Sequence, residues 1–486
     1  MQFKRVFLLS VSLIFLLQLP VYSQDSVSEE AMALNPNPVD FGFGIGLGAV
    51  NLDGKVYNSI ILNPDLSIGK FGIALDINFR FTLTGDDPGE TTFSVYEPDW
   101  YLRDGTVSEY LNLYLSKFDY IRWGQSGDDL FIKLGSLENV TIGNGFIVGG
   151  YTNEMFKPIR KYTGARFELD TDLFNWPYMG VEFFVNNVSA WDVLATRLYA
   201  KPIAGIESPV FSGLEVGLTF AVDSDPYFHL REDINNNDYW DIADSNTPIF
   251  IDPLVSAMFS TSYNPESVFV YGVDVMQPLV DIKMFSMAMY GDFAMQGFTA
   301  PAIGGSTGFG GTLIKFLTWN GGLIFRGDDF IPSYFNRTYD LDRGSKYIQY
   351  ANPTTDVLQD AGIDYKTSVG LTFLDGGLTF VTQITGPFAK PVIKDPTNAP
   401  WEYPHLMALL NVGEGIIPYF DMSFWYDKQG IDSLSALVNP TNALIGGRLN
   451  YRIQRAVLSL QVDVKYDPSD AGDWLVTTKL ETGIQF

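Results

Sequence analysis

Apolar and polar residues alternate with a period of two through most of this chain. At its end, Ala456, Leu458, Leu460, Val462, Val464 and Tyr466 alternate with Val457, Ser459, Gln461, Asp463 and Lys465. Then Trp474, Val476, Leu480, Ile484 and Phe486 interleave with Leu475, Thr477, Lys479, Glu481, Gly483 and Gln485. Such a period predicts strands with one apolar and one polar face. Phe71–Leu83 is the cleanest example: Phe71, Ile73, Leu75, Ile77, Phe79, Phe81 and Leu83 share one face, and Gly72, Ala74, Asp76, Asn78, Arg80 and Thr82 the other. From Val39, Phe41, Phe43, Ile45 and Leu47 alternate with glycines, which predicts a strongly curled strand.

Further strands are expected around 57–68, 110–121, 130–140, 161–170, 178–187, 193–201, 211–222, 267–276, 281–294 and 307–317. The series continues at 322–327, 363–373, 377–386, 405–413, 416–427 and 442–452. Asn320-Gly321 and Asp375-Gly376 read as hairpin turns between alternating runs. The total is roughly 20 strands, within about 18 to 22. Numbered upward from Val39, the tight turns fall at one end and the long connections 84–109, 141–160, 223–266, 328–362, 387–404 and 428–441 at the other. Short turns inside and long loops outside match a single all-β, antiparallel transmembrane barrel over 39–486, with periplasmic turns and extracellular loops.

Composition sharpens that picture. Hydrophobic residues make up 46%, aromatic residues 15% and charged residues only 18%. After Ser23 no run of about 18 apolar residues occurs, so a spanning helix is not expected and the apolar strand faces are assigned to lipid. Residues 1–23 read as a signal peptide: Lys4 and Arg5, an apolar core Val6–Leu19, then Val21-Tyr22-Ser23 before Gln24. Residues 24–38 read as a short periplasmic leader, too small for a plug domain. The absence of cysteine excludes a lipidated Cys and a disulfide framework. With 57 acidic and 31 basic residues the formal charge is −26, which disfavours nucleic acid as a partner.

The closing strand that stops on Phe486 resembles the last strand of bacterial outer-membrane β-barrels of the porin-like kind. The resemblance implies an outer-membrane location, outer-membrane lipid around the barrel, and recognition of Phe486 by the barrel-assembly machinery.

Candidate chemistry is sparse. Only His229 and His405 are present and no G-x-S-x-G pattern occurs, so a non-enzymatic role is expected. Asp233, Asn235, Asn237, Tyr239, Asp241 and Asp244 occupy positions 1, 3, 5, 7, 9 and 12 of a twelve-residue stretch, the spacing of a calcium loop. Asp238 stands where such loops carry Gly, and Asp244 where they carry Glu; a solvated acidic loop tip fits the same residues. No other cofactor is expected. Alternation puts Asp76, Arg80, Arg448, Arg452, Asp463, Lys465, Lys479 and Glu481 on the lumen face, either as structural pairs or as a selective lining. The stretch Ile142-Gly143-Asn144-Gly145-Phe146 either folds inward as a constriction or caps the barrel.

The expected function is a passive pore for small hydrophilic solutes or ions, with 223–266 and 328–362 narrowing its mouth. The alternatives are a scaffold displaying acidic, calcium-binding loops to a partner, and a carrier of hydrophobic ligands.

Overall fold

The computed structural model describes residues 39–485 apart from 53–54, 84–92, 103–104, 156–160, 177, 227, 229–265, 283, 299, 315, 352–358, 375, 391–402, 440, 454–455 and 467–473. The first strands are β1 (Val39–Leu52), β2 (Lys55–Ile68), β3 (Phe71–Leu75), β4 (Ile77–Thr82), β5 (Ser94–Val95), β6 (Phe118–Trp123) and β7 (Leu130–Gly135). Two short ones follow, β8 (Val140–Ile142) and β9 (Val148–Tyr151). Next come β10 (Gly164–Asp170), β11 (Met179–Val185), β12 (Val193–Ala200), β13 (Glu215–Asp223), β14 (Val268–Ile282), β15 (Phe285–Gln296), β16 (Ala302–Leu313) and β17 (Leu317–Arg326). After β18 (Phe335–Asn336) the series resumes with β19 (Gly362–Phe373), β20 (Leu378–Pro387), β21 (His405–Ile417) and β22 (Phe420–Lys428). It ends with β23 (Ala443–Ile453), β24 (Ala456–Tyr466) and β25 (Trp474–Gln485).

Among the described residues, 22 of these strands form one sheet. Because β3 and β4 continue one another, as do β5 and β6, there are 20 strand positions. Each pairs antiparallel with its sequence neighbour, and β1 pairs with β25 as well as β2, so the circuit returns to its start. The long connections 136–163, 224–267, 327–361, 388–404 and 429–442 share one end. The opposite end holds shorter links; its longest, 201–214, carries the helical turn Pro209–Ser212.

Register explains which residues point out. Leu47 lies opposite Ile60 and Leu480, and Leu449 opposite Leu460. These are the positions where large apolar side chains are exposed: Leu47, Leu198, Leu218, Phe293, Phe325, Leu460 and Leu480 among them. Interior positions carry polar residues and glycines, and large rings lie flat across the glycines. A Cβ on Gly446 would collide with the Trp425 indole, and one on Gly308 or Gly322 with the Tyr290 phenol. The bare backbone is a seat for an aromatic ring on the next strand, which gives the alternating glycines a packing role.

Two expectations need correction. Asn320-Gly321 is not a hairpin turn but lies within β17, and the link from β16 falls at 314–316. The stretch around 110–121 is a strand only from Phe118: Val107–Leu115 is a helix, α1, opened by a capping box at Thr106 and Glu109. Its exposed apolar residues recur at 107, 111 and 114, a helical spacing that the alternation of Leu111, Leu113 and Leu115 obscured. Two of the long connections partly fill the interior. The connections 136–163 and 327–361 fold in and join through a small sheet of β8, β9 and β18. Their apolar side chains (Leu137, Ile142, Phe146, Val148, Tyr151, Phe330, Tyr334, Phe335) pack against Phe184, Ala195, Ala221, Val270, Ala294 and Ile324 on the inner face of β11–β17. Burial of apolar surface at roughly 25 cal/mol per Å² holds them there. The first loop therefore folds inward rather than capping the ring.

Candidate functional site

The tip of loop 136–163 descends to the middle of the strands and meets a charge cluster on the inner wall. Arg197 on β12 donates from Nη1 to Glu182 on β11 at 2.8 Å and from Nη2 to Glu215 on β13 at 2.8 Å. Its Nε and Nη2 also reach the two oxygens of Asp274 on β14, at 3.0 and 2.6 Å. Antiparallel register sets Asp274 directly opposite Asp292 on β15. One guanidinium thus gathers three carboxylates, with a fourth one strand away. The geometry uses the planar fork of arginine, which can satisfy several acceptors at once.

Gly143 and Asn144 seat the tip on this cluster. The Gly143 amide donates to Glu182 at 3.1 Å, and the Asn144 amide side chain to Asp292 at 3.0 Å and to the Val275 carbonyl at 3.3 Å. Gly143 has φ +55°, and a Cβ there would sit 3.0 Å from Arg197 Nε. Glycine is therefore required twice over, for the backbone turn and for the approach to the guanidinium. Along the same wall, Lys366 on β19 lies opposite Gly322 and Thr385, within electrostatic reach of Asp292, and forms no ion pair among the described residues.

Loop 327–361 is latched at the long-loop rim. Its helix α3 (Tyr339–Tyr350; the turn Pro209–Ser212 is α2) carries Arg343, 1% exposed. Arg343 Nε donates to Asp223 at the end of β13 at 2.6 Å, and Nη1 to Asp192 in the 186–192 connection at 2.8 Å. Asn186 also donates to Asp192 at 2.9 Å. Burial works to lower the Arg343 pKa, but the two aspartates outweigh it and hold it well above its ordinary value. Asp340, one turn earlier, is 4% exposed and accepts from the Tyr151 hydroxyl at 3.1 Å. Burial pushes its carboxyl up to about 6, against the opposing pull of Arg343, Tyr151 and Lys346.

The residues singled out from sequence divide by position. Asp76 accepts from Lys161 at 3.0 Å, and Arg80, 6% exposed, donates through Nε to Asp99 at 2.7 Å. Both occupy inner positions but are closed into pairs in the wall. Arg448 remains exposed on the inner face and donates to Gln461 at 2.8 Å; Gln461 donates on to Asp463 at 2.8 Å. Arg452 pairs with Asp421. Lys465, Lys479 and Glu481 pair in backbone register with Leu444, Gly48 and Gly46. His405 meets Asp427 at 2.6 Å near the long-loop end. The calcium stretch Asp233, Asn235, Asn237, Tyr239, Asp241 and Asp244, together with His229 and Phe486, lies outside the described residues.

The sequence reading missed Glu182, Arg197, Glu215, Asp274 and Asp292. All five stand on the polar parity of expected strands, so the signal was present; which polar residues converge depends on register across strands 77 residues apart in the chain for Arg197 and Asp274.

No family model matches the sequence, and no curated protein matches it either. Among solved structures, similarity extends to OccK2 (OpdF) of Pseudomonas aeruginosa, at 10% identity over 92% of this chain and 96% of that one, with a TM-score of 0.30. A BenF-like porin from Pseudomonas fluorescens Pf-5 overlaps at 10% identity, 92% and 97% coverage and a TM-score of 0.31. Wzi, a carbohydrate-binding outer-membrane β-barrel of Escherichia coli, overlaps at 12% identity, 96% and 89% coverage and a TM-score of 0.34.

Proposed function

We propose that this protein is an outer-membrane β-barrel that passes small hydrophilic solutes or ions along the side of its interior that the loops leave uncovered. The observation that carries the reading is the contrast between the two faces of the sheet. Outward positions expose Leu47, Leu218, Phe293, Leu460 and Leu480, while the inner face of β22–β24 presents Ser423, Asn450, Arg448, Gln461 and Asp463. An apolar outside and a hydrated, ion-paired inside suit a bilayer around a wet path. Docking of residues 142–146 at Glu182 and Asp292 narrows that path at mid-height, and the Arg343 latch holds the second loop over the mouth.

Charges along such a wall set preference through electrostatics, and their mutual pairing keeps them from trapping a permeant ion. The test is conductance of the purified protein in planar bilayers, with liposome swelling in sugars of increasing size. Steady ohmic conductance and a sharp size cut-off are expected. Closed bilayers combined with loop-dependent binding to cells or proteins would favour the display reading instead.

A further inference from the structure

The wall has a notch. On one side of β4, the ladder with stave β5/β6 holds only at its ends: Asp76 N donates to the Lys117 carbonyl at 2.8 Å, and Tyr96 N to the Arg80 carbonyl at 2.9 Å. Among the described residues, Ile77, Asn78 and Phe79 have no strand partner there, and the chain from 97 to 116 leaves the sheet to form a 3-10 turn (Glu97–Asp99) and α1. The neighbouring strands β6 and β7 are six residues each, followed by β10–β12 at seven, seven and eight, against 15 in β14. Six residues rise about 20 Å, or about 15 Å once tilted, which is short of an apolar band about 25 Å tall.

The helix fills the gap with an apolar outer side. Val107, Leu111 and Tyr114 are 78%, 49% and 56% exposed, while Asn112 and Leu113 are buried against the protein and Ser108 is bonded to it. Trp100, just ahead of it, packs on Phe79, an outward residue of β4. The helix is tied to the rim by side-chain bonds, Ser108 Oγ to the Ser189 carbonyl and Asn112 Nδ2 to the Lys161 carbonyl, with no ladder. Arg80, paired with Asp99 and lying 4.8 Å over the Tyr96 ring, keeps its Nη1 buried without a hydrogen-bond partner, and Lys117 rests over the Trp100 ring with no ion pair among the described residues.

We propose that this notch is a lateral portal between bilayer and interior, with α1 as its shutter, admitting an anionic amphiphile whose head meets the spare Arg80 donor. Its tail lies along Trp100, Leu111 and Tyr114 in the lipid, and the head exchanges water for a guanidinium N–H that otherwise lacks an acceptor. This route is separate from solute passage through the mouth.

The chain has no cysteine, so a thiol pair can be placed without interference. Ser108→Cys with Ser189→Cys, bridged by a reducible bis-methanethiosulfonate, fastens the shutter in proteoliposomes. Transfer of dansyl-undecanoate from donor vesicles should fall at least about 10-fold on bridging and recover with reductant, as expected for a gated step, while sugar-driven swelling is unchanged. Unchanged probe transfer in the bridged protein overturns the portal. For the head-group assignment, Arg80→Gln is made together with Asp99→Asn, so that no carboxylate is left buried alone. Acid-probe transfer should drop about 10-fold, the scale of one charged hydrogen bond, with the methyl ester of the same probe within about twofold. Equal losses for acid and ester, or no loss, overturn the anionic preference.

Discussion

The two sides of the ring solve the same problem differently. On β11–β17 the inner face near the long-loop end is apolar: Phe184, Ala195, Ala221, Val270, Ala294 and Ile324 are almost wholly buried beneath the folded-in loops. On β19–β22 the inner positions near the same end are polar, Asp364 opposite Ile324, then Thr385, His405 and Asp427, and farther from that end Ser423, Arg448 and Gln461 line the face without being buried. An apolar inner wall recruits its own loops, because water against such a surface is unfavourable. A polar inner wall leaves water in place. The asymmetry decides where a path remains.

That contrast is most exposed at the latch. Arg343→Met leaves Asp192 and Asp223 buried without their cation and should weaken docking of loop 327–361 by about 3–5 kcal/mol. Limited proteolysis within that loop should accelerate, and channel conductance should rise; unchanged values for both would mean that the loop is held by its apolar contacts alone.

Next in size is a pH effect on the covered side. With the Asp340 carboxyl raised to about 6, docking is favoured when that group is protonated. Its contribution is fully present below the ordinary aspartate range near 4 and is lost as pH rises through about 6. Conductance should therefore increase between about pH 4 and 7, and Asp340→Asn should flatten that rise.

The uncovered side should respond through packing first. Gly446→Val forces the Trp425 ring off its seat and should cost about 1–3 kcal/mol, read as a lower unfolding temperature in detergent. The smallest stability effect belongs to Arg448→Glu. Its solvated hydrogen bonds to Gln461 contribute less than about 1 kcal/mol. Reversal potential, however, should shift toward cations. A stability loss as large as that of Arg343→Met would abolish the distinction between the two sides.

The parity of Phe71–Thr82 and Ala456–Tyr466 told inner from outer faces residue by residue, because a strand repeats every two positions whatever its neighbours. The helix at Val107–Leu115 was misread, since three apolar residues at helical spacing beside a genuine strand at Phe118–Trp123 blend into one run. The Arg197 cluster was on the right face in each strand, yet nothing local joins Glu182, Glu215 and Asp274 around one guanidinium.

The sequence by itself determined the sheet, its two faces, the approximate number of strands and the sidedness of the long loops, since all depend on short-range alternation and turn chemistry. Tertiary structure alone decided which polar positions meet, that loops 136–163 and 327–361 turn inward, and that a helix stands in for part of the wall. Those outcomes depend on contacts between segments up to 189 residues apart, such as Tyr151 with Asp340, and no local pattern encodes them.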